Sequence, residues 1–92
     1  MNTKNIIAVL SFAATLGVSH SAFAAADCAV HPKEEWIPED QMKAKVEAQG
    51  YKIKVFKVAG ECYEIYGWTR DGKRAEIYFD TKTGAIVKSE ID

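Results

Sequence analysis

Beyond Gly50 the chain alternates apolar and polar side chains in four short runs, broken by glycine-bearing turn signals. This period of two, recurring at intervals of about ten residues, demands antiparallel strands joined by tight turns. Tyr51, Ile53 and Val55 alternate with Lys52 and Lys54, giving a first strand over 51–58. Ala59-Gly60-Glu61 reads as a turn, and Cys62 to Thr69 (CYEIYGWT) as a second strand rich in aromatic and β-branched residues. Arg70-Asp71-Gly72-Lys73 is a hairpin signal, followed by a third strand over 74–79. Asp80 to Gly84 is a further turn before a short fourth strand over 85–89.

The segment before Gly50 has a different character. Pro38 suits the first turn of a helix, where its missing N–H costs nothing. Glu39 and Asp40 complement the helix dipole there. Residues 39–49 are rich in helix formers, with Met42 and Val46 four apart on one face and Gly50 as a stop. Residues 25–37 lack periodicity and read as an extended arm tethered by Cys28, with Trp36 and Ile37 as apolar anchors. The expected architecture is α+β: a single small domain over 38–92, with one helix packed on a four-stranded antiparallel meander.

Residues 1–24 read as an address rather than as structure. Lys4 precedes an uncharged run from Ile6 to Val18, which is too short for a bilayer span of roughly 20 residues. Small residues follow it. This order describes a secretory signal peptide, with cleavage after Ala24 or Ala26, and no permanent membrane anchor is expected. His20 and Lys4 leave with the signal, so the mature chain carries 11 basic and 13 acidic side chains. That balance and export argue against a nucleic-acid partner. A periplasmic or secreted location is expected.

Export makes a disulfide between Cys28 and Cys62 the default. The competing reading is a metal site that uses Cys28, His31 and Cys62, which offers three ligands where zinc sites usually have four. No haem attachment motif is present, and no cofactor is expected. Enzymatic activity is not expected either. The mature chain has one histidine, His31, and one serine, Ser89, and no spacing suggests a nucleophile beside a base.

The register of the second hairpin decides which face is buried. A two-residue turn would pair Glu64 with Phe79 and bury a carboxylate among apolar groups. A three-residue loop pairs Gly67 with Ala75, Ile65 with Ile77 and Tyr63 with Phe79, and is the expected register. A three-residue loop at Ala59-Gly60-Glu61 then adds Tyr51, Ile53 and Val55 to the face covered by Met42 and Val46, with Ile86 joining them. Lys52, Lys54, Phe56, Glu64, Tyr66, Trp68, Arg74, Glu76 and Tyr78 fall on the opposite face. Tyr66, Trp68, Arg74 and Tyr78 make a candidate partner-binding surface, since Tyr, Trp and Arg favour interfaces.

From Cys28 to Lys88 the chain resembles a PepSY domain of the small, stand-alone secreted type. The resemblance rests on Cys28 upstream of Trp36, then Gly50-Tyr51, Gly60-Glu61-Cys62-Tyr63-Glu64, Asp71-Gly72-Lys73-Arg74 and Asp80-x-x-Thr83-Gly84. Thr81 departs from the pattern, which often has proline there. The resemblance implies a non-enzymatic module of the bacterial cell envelope that binds a protein or peptide, with peptidase inhibition or regulation as its proposed role. It transfers no catalytic or binding residue. The alternative is a small-ligand or metal-sensing envelope protein, supported by the Cys28/His31 pair and scattered acidic groups.

Overall fold

A computed structural model of the chain describes residues 26–92. The expected signal peptide and its cleavage sites lie outside the described residues. A single 3₁₀ turn at Lys33–Glu35 precedes helix α1 (Glu39–Ala48). Strands β1 (Lys52–Ala59), β2 (Cys62–Trp68), β3 (Arg74–Asp80) and β4 (Ile86–Ile91) follow. They form one antiparallel sheet in sequence order, so β1 and β4 are its edges. The α+β meander expected from the alternation is the observed fold.

Helix α1 starts at Pro38, whose carbonyl accepts the first helical bond, from Met42. It ends in paired capping bonds, Gly50 N–H to Glu47 O and Tyr51 N–H to Val46 O, which satisfy carbonyls the last turn leaves free. Only Met42 and Val46 of the helix are buried. They meet Tyr63, Ile65, Ala75, Ile77 and Phe79 from β2 and β3, and Trp36, Ile37, Tyr51, Ile53 and Phe56 pack at the margin. The second hairpin has the expected register, with Gly67 opposite Ala75, Ile65 opposite Ile77 and Tyr63 opposite Phe79.

The first hairpin differs. Ala59 pairs with Cys62, leaving a two-residue turn of Gly60 and Glu61 in place of the expected three-residue loop. Gly60 has φ +61°, the conformation that two-residue hairpin turns favour. The shift places Phe56 opposite Ile65 on the core side and turns Val55 outward, opposite Tyr66, where it is 41% exposed. A β-bulge at Lys54 then absorbs one residue, so Ile53 still faces Gly67 and returns to the core side. The bulge brings the Lys52 carbonyl so close over Gly67 that a Cβ there would run into it. Ile86, expected in the core, is 48% exposed. A ten-residue helix with two buried side chains covers the centre of the sheet and leaves the β4 edge bare.

Candidate functional site

Alternation along β2 sets Cys62, Glu64, Tyr66 and Trp68 on the face away from α1. Cys62 is bonded to Cys28, with Cα atoms 5.5 Å apart. The arm therefore begins on the outer face and passes round the end of the central hairpin to the core side. Cys28 Sγ lies 3.7 Å from the Phe79 carbonyl. His31 Nε2 sits 2.9 Å from Asp80 Oδ1. Ile37 N–H donates to Thr81 O, and the Tyr63 hydroxyl donates to Ile37 O at 2.6 Å. Trp36 donates to His31 O and packs its ring T-shaped against Tyr63.

Asp80 is the pivot of this crossing. Its Oδ2 accepts the N–H groups of Lys82 and Thr83 and the Thr83 hydroxyl. Partial burial works to raise its pKa, but the Thr83 N–H, His31 and the remaining donors outweigh it and hold the carboxyl down at about 2.

The outer face divides into a closed half and an open half. In the closed half, Glu64 is only 2% exposed, between Lys57 of β1 and Tyr78 of β3. Lys57 Nζ lies 3.8 Å from Glu64 Oε1 and also over the Tyr66 ring, while Lys88 lies over the Tyr78 ring. Glu64 is on the face expected for it, but Lys57 reaches it from β1 and Tyr78 stands opposite it on β3. Burial raises the Glu64 pKa, and the nearby Glu76 carboxylate raises it further. Glu76 moves the opposite way, lowered first by its interaction with Glu64. Tyr78 is 7% exposed and donates its hydroxyl to Glu76 Oε2 at 3.0 Å. The Tyr66 hydroxyl is pushed up to about 12, chiefly by the neighbouring Glu64.

The open half carries a surface cavity of about 470 Å³ lined by Lys54, Tyr66, Trp68, Arg74, Glu76 and Glu90, with Asp92 at its end. Three of the four candidate residues, Tyr66, Trp68 and Arg74, come together in its wall; Tyr78 is buried beside Glu64. Trp68 and Arg74 are direct cross-strand partners. The sequence reading missed the contribution of β4, through Glu90 and Asp92. Extending the alternation of β4 against β3 would have found it, because Glu90 pairs with Glu76.

The metal reading loses its ligands. Both sulfurs are joined to each other and His31 faces Asp80. Among the described residues no group of three His, Cys, Asp or Glu side chains is placed to hold a metal ion. No helix among them is long and apolar enough to cross a membrane.

No curated protein and no solved structure is significantly similar to the chain. The sequence model of the family described as peptidase propeptide and YPEB domain matches residues 7–90. That span takes in the arm, the helix and nearly all of the sheet, so the chain belongs to the PepSY family of peptidase-propeptide and YPEB domains.

Proposed function

We propose that this PepSY domain is a non-enzymatic, exported module of the bacterial envelope that binds a protein or extended peptide, and that it restrains or regulates a peptidase in doing so. Family membership supports the peptidase connection, since PepSY domains are propeptide-type and regulatory modules. The observation that carries the reading is the open half of the outer face. Tyr66 and Trp68 of β2 and Arg74 of β3, opposite Trp68, line a cavity that also presents Lys54 and Glu76. Aromatic rings and a guanidinium, ringed by charges of both signs, suit a polypeptide, which offers apolar side chains and amide groups together. The bond between Cys28 and Cys62 suits an oxidising compartment such as the periplasm or the exterior. A signal peptide over residues 1–24 would deliver the chain there.

The test is affinity capture from envelope extract with immobilised mature domain, run beside Trp68→Ala and Arg74→Ala variants. A specific partner is retained by the wild type and weakened by at least about 1 kcal/mol in each variant. Peptidase activity of the captured material, measured with and without added domain, assigns the regulatory role. Equal capture by all three proteins would remove the cavity from the account.

A further inference from the structure

The two sheet edges are built differently. Edge β1 carries Lys52, Lys54 and Lys57, charges that keep strands from pairing with strangers, and each edge carries one bulge, at Lys54 in β1 and at Val87 in β4. Edge β4 has one lysine, Lys88, and exposes Ile86, Val87 and Ile91. Its backbone is regular from Lys88 to Ile91. Asp92 N–H donates to Arg74 O, so residues 92, 90 and 88 turn their peptide groups toward β3. By the same alternation, Ser89 and Ile91 turn theirs to the free edge.

The run Val87-Lys88-Ser89-Glu90-Ile91 is complementary to itself when reversed. It reads apolar, positive, small, negative, apolar. We propose that the free edge of β4 pairs antiparallel with the β4 edge of a second copy, about a two-fold axis at Ser89. Ser89 then exchanges both backbone hydrogen bonds with Ser89 of the second copy. Val87 faces Ile91 across the seam, and Lys88 faces Glu90 twice. The charged pairs fall at the closely spaced positions of an antiparallel ladder, where side chains interact best. Other axes are worse. Centring on Lys88 or Glu90 sets that charge against itself, centring on Ile91 sets Glu90 against Asp92, and centring on Val87 loses both ion pairs. Ile86, Val87 and Ile91 of both copies would line the seam beside the core and cover the apolar strip that α1 leaves bare. Within one copy Lys88 already reaches Glu90 at 3.4 Å, so pairing exchanges an intrachain ion pair for two interchain ones.

Sedimentation equilibrium on the oxidised mature chain, carried to millimolar concentration, tests this. The wild type shows a monomer–dimer equilibrium. Lys88→Glu and Glu90→Lys each raise the dimer dissociation constant about tenfold by replacing two attractions with two repulsions. The double variant Lys88→Glu/Glu90→Lys returns it toward the wild-type value. Ser89→Pro removes the central N–H, which faces outward and is dispensable to the monomer, and yields a folded monomer by circular dichroism. A wild type that stays monomeric at millimolar concentration overturns the proposal. So does a dimer indifferent to the single charge reversals or not recovered by the double one.

Discussion

Replacing Asp80 by asparagine tests the crossing of the arm at one atom group. The Asp80 side chain is 14% exposed and accepts from His31, from two backbone N–H groups and from the Thr83 hydroxyl. Its pKa stands at about 2, against an ordinary 3.8. At 1.36 kcal/mol per unit, the folded state favours the ionised form by roughly 2 kcal/mol. The folded pKa lies below the unfolded one, so this contribution is complete above about pH 4 and lost as pH falls through about 2. Asparagine keeps one acceptor oxygen and loses the charge. Asp80→Asn therefore costs about 2 kcal/mol near neutral pH, and the cost shrinks toward zero at about pH 2. Urea melts of wild type and variant across that range read the difference directly. A gap as large at about pH 2 as at neutrality would refute the electrostatic reasoning, and no gap at neutrality would refute the pivot itself.

Reducing the Cys28–Cys62 bond, which closes a loop of about 35 residues, lowers stability by roughly 3–4 kcal/mol, measured by melts with and without reductant. Gly67→Ala drives a Cβ into the Lys52 carbonyl and costs at least about 2 kcal/mol, with loss of the Lys54 bulge visible in β1 amide exchange. Glu64 has a folded pKa raised by burial, so its ionisation opposes folding as pH rises above its ordinary 4.5. Glu64→Gln accordingly raises the neutral-pH melting midpoint and removes the stability that the wild type gains on mild acidification.

The architecture was legible because each strand announces itself by alternation and each turn by glycine. The second hairpin's register was legible because one alternative forced Glu64 into the apolar core. The first hairpin offered no such penalty. Both Val55 and Phe56 are apolar, so burying either one satisfies the pattern, and the bulge that decides between them depends on the close approach of Lys52 to Gly67 across the sheet. The outer face was legible in membership but not in exposure. Outward-pointing residues are exposed only where neighbours leave them so, and Glu64 has Lys57 reaching it from β1 and Tyr78 opposite it on β3. The path of the arm was readable in principle, since Cys62 shares its parity with Tyr66 and Trp68.

We propose a division of labour between the two faces: residues under α1 hold the fold, and those lining the outer cavity contact a partner. Denaturant melts of Ile77→Ala and Trp68→Ala, side by side, measure that division before any partner is known. Ile77 is fully buried, so its truncation costs about 2–5 kcal/mol. Trp68 lies at the cavity, so its truncation costs no more than about 1 kcal/mol. If Trp68→Ala proves as damaging as Ile77→Ala, the outer face is a second core and the division of labour is wrong.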